Sequence, residues 1–183
     1  MARLTYREQA DLPAEHQKLL ARNINLYRLM THSIGGTRAF GTLGGYIRHG
    51  STLDGRLREL AILQVGWLAR SPYEWSHHVK IGYDFGVTDA DIRALIDDTA
   101  GRPATLDAAA RCVLRAAREI TAGPAVAEGT FVELRTHLSD EHLTDLVITM
   151  SFYCAVVRFL ATMQIDVEQE YQVYLDRFPF PPD

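Results

Sequence analysis

Apolar residues recur along this chain at spacings of three and four, the repeat of a helix face, and nowhere in the strict alternation of a half-buried strand. Pro13 stands where a first helical turn would begin, and Leu19, Leu20, Ile24, Leu26, Tyr27 and Met30 follow it. Gly35-Gly36 punctuates the chain, and a second helical segment, 37–48, carries Phe40, Leu43 and Ile47. Gly41, Gly44 and Gly45 weaken that segment, at about 1 kcal/mol each relative to alanine. After Gly50, the run Ser51 to Asp54 reads as a capping box. It opens a helix through Leu57, Leu60, Ala61, Leu63, Val65 and Leu68 that is apolar almost all round and should be central. Ser71-Pro72-Tyr73-Glu74 is a complete helix start: serine at N-cap, proline at N1, and glutamate at N3 able to reach back to the Ser71 N–H.

Gly86 should stop that helix, and the run Thr88 to Asp91 should open the next, which ends before Gly101. Further helices follow over 106–120, before the breaker Gly123-Pro124, and over 131–138. Ser139 opens a final long one with apolar positions from Leu143 to Ile165. The pattern therefore predicts an all-α single domain over 1–183, a bundle of seven or eight helices with short connections. The tail, 167–183, holds Tyr171, Tyr174, Leu175, Phe178 and Phe180. Aromatic residues so near a chain end need something to dock on, and a second copy of the chain is the expected surface.

Composition narrows the function classes. With 183 residues the chain can bury a full core, and 23% charged residues with 47% hydrophobic ones argue against disorder. The 19 basic and 23 acidic residues give a net charge of −4, which speaks against a nucleic-acid partner. No secretory leader is legible, and Thr149, Ser151, Tyr153 and Arg158 interrupt the longest apolar stretch, 146–163. A cytoplasmic protein with no membrane partner is the expectation. Two cysteines, Cys112 and Cys154, exclude a disulfide scaffold and a cysteine-rich metal module. No H-E-x-x-H or similar ligand spacing occurs, so no metal is expected.

The candidate chemistry is concentrated in two neighbouring segments. Glu59 lies inside an apolar run, where a carboxylate must be paired or hydrogen-bonded. Glu74 and His78 are four apart and share a helix face. Two antiparallel helices would bring Glu59 against His78, a carboxylate–imidazole couple suited to acid–base work near neutral pH. His77, rotated by about 100°, should point away from that site, into solvent or an interface. Arg56 and Arg58 could hold an acidic substrate; Tyr73, Trp75 and Tyr153 are core or pocket wall.

The strings Arg58-Glu59-Leu60-Ala61-Ile62-Leu63, Tyr73-Glu74-Trp75-Ser76-His77-His78 and Gly86-Val87-Thr88 with Asp91-Ile92 resemble the carboxymuconolactone decarboxylase family. The resemblance centres on residues 50–97 and implies the all-helical alkylhydroperoxidase D-like fold. The peroxidase branch of that family carries Glu, eleven residues, Cys, two residues, Cys, three residues, His. Counted from Glu59, the cysteine positions fall on Ser71 and Glu74 and the histidine on His78. Serine and glutamate cannot cycle through sulfenic acid and disulfide, so the resemblance argues against dithiol peroxidase chemistry.

The decarboxylase branch of that family needs no cofactor, so the resemblance implies a cofactor-free acid–base enzyme acting on a small lactone, carbonyl or carboxylate, with His78, Glu59 and Glu74 as the expected catalytic residues. Ser71, Tyr73, Trp75, Arg58 and Tyr153 are the expected substrate-binding residues, and a homo-oligomer (dimer, trimer or hexamer) the expected assembly. An antioxidant using Cys112 or Cys154, and a non-catalytic ligand-binding protein of the same fold, stand as alternatives. For Ser71 and Glu74 helix capping alone is a sufficient reason, and for Glu59 an arginine pair is.

Overall fold

The computed structural model describes residues 1–182; Asp183, the last residue of the expected tail, lies outside them. Among these residues the chain forms nine α-helices: α1 (Asn25–Met30), α2 (Ile34–Gly45), α3 (Gly55–Leu68), α4 (Pro72–Asp84), α5 (Asp89–Thr99), α6 (Ala108–Ala122), α7 (Glu128–His137), α8 (Asp140–Met163) and α9 (Gln172–Arg177). Seven have ten or more residues; α1 and α9 are the short additions that raise the total above the expected seven or eight. The fold is all-α, and one core joins the helices.

Helix α3 is the axis. Every residue from Leu57 to Trp67 is buried, as its all-round apolar character required, and α4, α6 and α8 pack around it. Its start differs from the expected capping box. Asp54 is the N-cap, accepting the Leu57 N–H, because Ser51 turns its hydroxyl toward Asp145 on α8. The segment from Pro13 is also not one helix. A 3₁₀ stretch (Ala14–Leu20) breaks before Asn25, where the backbone N–H bonds to Glu168 instead of continuing a helix.

Other starts and stops follow the residues. Thr88 and Asp91 form a reciprocal capping box, and Ser139 caps α8 through the His142 N–H. Gly86 ends the α4 turn at φ +87°, a left-handed conformation that a side chain would strain. Gly66 lets α3 and α4 approach closely: a Cβ there would stand 3.4 Å from both Glu74 Cγ and the Trp75 nitrogen.

Helix α8 is long and apolar enough to cross a membrane by length and composition, with mean hydropathy 1.8. Its polar interruptions are thus weaker than the sequence suggested. In the fold it is a core helix on one side, burying Leu146, Met150, Tyr153, Val157 and Leu160.

Within one chain the aromatic tail packs on α4 and the end of α3. Trp75 donates its indole N–H to the Phe178 carbonyl at 2.9 Å, Phe180 stacks on Trp67, and the Tyr171 ring lies 3.6 Å from that of His77. The intramolecular partner is α4 and the end of α3, whose aromatic surface the tail covers.

Candidate active site

A cavity of about 220 Å³ lies where α1, α2, α4 and α8 meet. Its α4 wall is a broad face: Tyr73, Glu74, His77, His78 and Ile81, positions three and four apart and their neighbours. The width of that face corrects the expectation for His77. Both histidines border the cavity, and His77 is buried instead of facing solvent or an interface.

The two histidines engage different carboxylates. His78 is held between two: its Nδ1 lies 2.6 Å from Glu59 Oε2, and its Nε2 2.9 Å from Glu74 Oε1. Glu59 comes from the core side, out of contact with the cavity, and its other oxygen accepts from Arg58 Nε at 3.1 Å. The order from core to cavity is therefore Arg58, Glu59, His78, Glu74. All four are at least nine-tenths buried.

The Glu74–His78 contact is close but poorly aligned, so Glu74 Oε1 is a buried acceptor with no properly directed hydrogen bond. Glu74 is free for this because the helix start is only half a capping box. Ser71 accepts the Glu74 N–H at 3.4 Å, but the Ser71 N–H goes to the Gly66 carbonyl. The carboxylate that would have reached back instead follows its own helix to His78, one turn on.

Burial is the largest influence on His78 and opposes its charge, but the neighbouring carboxylates of Glu74 and Glu59 outweigh it and hold the imidazole above its ordinary value. For Glu59 burial likewise opposes ionisation, and His78 and Arg58 together reverse it, keeping the carboxyl below its usual range. His77 goes the other way. Burial dominates and lowers it despite Glu168, whose Oε2 lies 2.8 Å from His77 Nε2. Glu168, opposed by burial, is still held low by His77 and by the Asn25 N–H it accepts. The site thus holds one imidazole disposed to stay charged and one disposed to stay neutral.

Of the other expected residues, Tyr153 lines the cavity and meets the His78 ring edge-on at 4.9 Å. Tyr73 also lines it, with its hydroxyl donating to Glu168 and receiving the Leu26 N–H. Ser71, Trp75 and Arg58 do not reach the cavity. Ser71 caps α4 and Trp75 anchors the tail. Arg58 stands behind Glu59 with its guanidinium 4.1 Å over the Phe85 ring. Arg56 is committed to Asp91 and Asp107.

Sequence reasoning missed Glu168 and Arg48. Glu168 lies 91 positions from His77, with no local pattern to connect them. Arg48 reaches the cavity from a π-helical turn (Tyr46–Gly50) that continues α2 and changes the direction of its side chains. Cys112 and Cys154 are free and line no part of the cavity. Burial pushes the Cys112 thiol up, away from thiolate. Among the described residues no three His, Cys, Asp or Glu side chains are grouped as metal ligands.

Residues 36–119 match the model of the carboxymuconolactone decarboxylase family. A peroxidase-related protein from Ralstonia eutropha JMP134, with an alkylhydroperoxidase AhpD core, superposes with a TM-score of 0.78 at 20% identity, covering 95% of each chain. The debrominase Bmp8, in a complex with 2,3,4-tribromopyrrole, gives 0.75 at 19% identity, covering 96% of this chain and 98% of its own. A peroxidase-related protein from Silicibacter sp. TM1040 gives 0.72 at 21%, covering 87% and 88%. These likenesses establish the AhpD-like fold. No curated protein sequence matches the chain.

Proposed function

With residues 36–119 a carboxymuconolactone decarboxylase family segment on an AhpD-like fold, we propose that the protein is a cofactor-free acid–base enzyme acting on a small lactone, carbonyl or carboxylate. One observation carries this reading: a histidine clamped between two carboxylates, its Nε2 side at the cavity and its Nδ1 side tied to the core. A protonated imidazole in that position is a proton donor of fixed direction.

In a decarboxylation, the bond to the carboxyl carbon breaks and its electron pair moves toward the neighbouring carbonyl as carbon dioxide leaves. The enolate-like carbon then takes the Nε2 proton of His78. Neutral His78 keeps its Nδ1–H on Glu59, so its ring orientation is unchanged and solvent can restore the proton. Arg48 is placed to receive an anionic group of the substrate. The same donor would serve lactone opening or enol protonation.

The thiol route has no comparable support. The position that matches the second peroxidase cysteine holds Glu74, and the first holds Ser71, away from the cavity. Neither actual cysteine lines it.

The test is a panel of small lactones and β-keto acids, read as product formation and as α-proton exchange in deuterated water. His78→Gln should lower kcat on an accepted substrate by at least about 10²-fold with an unchanged circular dichroism spectrum. Full activity in that variant would overturn the assignment.

A further inference from the structure

His77 and His78 are neighbours on α4 and both border the cavity, yet their surroundings favour opposite proton states. Both ring nitrogens of His78 face carboxylates, those of Glu59 and Glu74. His77 faces one, Glu168, and the bonds around that residue decide which nitrogen carries the hydrogen. The Leu26 N–H donates to the Tyr73 oxygen, so the Tyr73 hydroxyl turns its own hydrogen to Glu168 Oε1, 3.1 Å away. The Asn25 N–H donates to the same oxygen at 2.6 Å. Two donors aimed at one oxygen favour the ionised carboxylate, and the nitrogen 2.8 Å from its Oε2 is then a donor. Neutral His77 therefore keeps its hydrogen on Nε2 and its lone pair on Nδ1.

Access to that lone pair is the second observation. Tyr73 and Tyr171 cover both faces of the His77 ring, with centroids 4.1 and 3.6 Å away and planes within 15° of it. Only the ring edge is left for a molecule in the cavity. Among the described residues Nδ1 has no hydrogen-bond partner, and it is not one of the unpartnered polar atoms sealed from solvent. An imidazole backed by a carboxylate on one nitrogen, with an open lone pair on the other, is the arrangement of a general base. Burial, aided by the charge of Arg22, outweighs Glu168 and keeps this imidazole below its ordinary value.

We propose that Glu168 and His77 form a base dyad beside the His78 acid, and that the cavity isomerises a small β,γ-unsaturated carbonyl compound to its conjugated form. Resting on the acid–base reading, the dyad adds a base and a reaction class to the same site. His77 Nδ1 takes a proton from the carbon between the carbonyl and the double bond. The C–H electron pair moves toward the carbonyl oxygen, giving a dienolate, and the γ-carbon then takes the Nε2 proton of His78 as the conjugated double bond forms. The proton gained by His77 and the one lost by His78 are equalised through water, so nothing is consumed. Glu168 balances the imidazolium that His77 becomes, and the two tyrosines hold its ring in plane. Decarboxylation makes its enolate by breaking a carbon–carbon bond and needs no base, so it leaves this dyad without a task.

That difference separates the two roles. The full chain is given β,γ-cyclohexenone, whose conjugated isomer is followed by its absorbance, and oxocyclohexanecarboxylate, a β-keto acid that loses carbon dioxide. The parent should isomerise the ketone, and His77→Gln should lower that kcat by at least about 10²-fold, at least about tenfold more than it lowers decarboxylation. Equal falls in both reactions would mark a structural role for His77 and overturn the proposal, as would a parent that does not isomerise the ketone. The ¹⁵N spectrum of the parent gives a reading that no variant can disturb: neutral His77 should carry its hydrogen on Nε2, and a hydrogen on Nδ1 would overturn the proposal. His78→Gln should abolish both reactions. Indifference to His78 would remove the acid–base reading itself, whereas dependence on His78 with indifference to His77 would remove only the dyad.

Discussion

Replacing Glu59 by Gln keeps the shape of the core-side partner and removes its charge, which makes it the sharpest single-residue probe of His78. With one of its two carboxylates neutral, the imidazole should give up its proton at lower pH, visible as a downward shift in its NMR titration. The kcat of the variant should fall by at least about 10²-fold. The pair also sets a stability window. His78 is held above its ordinary 6.5, so its contribution is complete below that pH and is lost as pH rises through the raised value. Glu59 is held below its ordinary 4.5, so its contribution is complete above that pH and is lost as pH falls through the lowered value. The stability difference between the parent and Glu59→Gln should therefore be largest between about 4.5 and 6.5 and shrink on both sides, measured by denaturant titration across pH. Replacing both cysteines by alanine should leave turnover unchanged, because neither thiol lines the cavity.

At the start of α4, local signals and tertiary demand meet in one short run. Ser71-Pro72-Tyr73-Glu74 contains everything a helix start needs, and the sequence correctly places a helix there. What it does not show is that the glutamate leaves the cap for His78, since that depends on Gly66 bringing α3 close and offering its carbonyl to the Ser71 N–H. Ser71→Ala should cost about 1 kcal/mol of stability in chemical denaturation, with kcat unchanged, because only the cap is lost. A large fall in kcat would mean that Ser71 acts on the substrate. Glu59, Glu74 and His78 were legible because they lie on two sequence-adjacent helices with helical spacing. Arg48 was hidden by a π-turn that no periodicity announces, and Glu168 by a separation only the folded tail closes. Gly41, Gly44 and Gly45 were visible as oddities in a helix; their place on the cavity wall needed the fold.

On the scale of the molecule, α3 is the axis that fixes Glu59, α4 carries the histidines, and the tail closes over the far side of α4. The fold class follows from periodicity alone, since every element is helical and the connections are short. The tail's partner does not follow, because aromatic residues signal that they dock but not on what. Phe178 is buried at 3% exposure, and its carbonyl holds the Trp75 indole. Phe178→Ala should therefore cost about 3 kcal/mol or more in unfolding, as the loss of a buried aromatic ring does, and loosen the α4 wall. The proposed proton transfer depends on the charge state of one imidazole inside that frame. The most direct measurement is a ¹⁵N NMR titration of the full chain, with His77 and His78 assigned by single substitution. The structure implies that His78 releases its proton above its ordinary 6.5, held there by Glu74 and Glu59 against burial, while burial makes His77 release its own below that value. A His78 that titrates at or below 6.5 would contradict the proposal that it is the enzyme's proton donor.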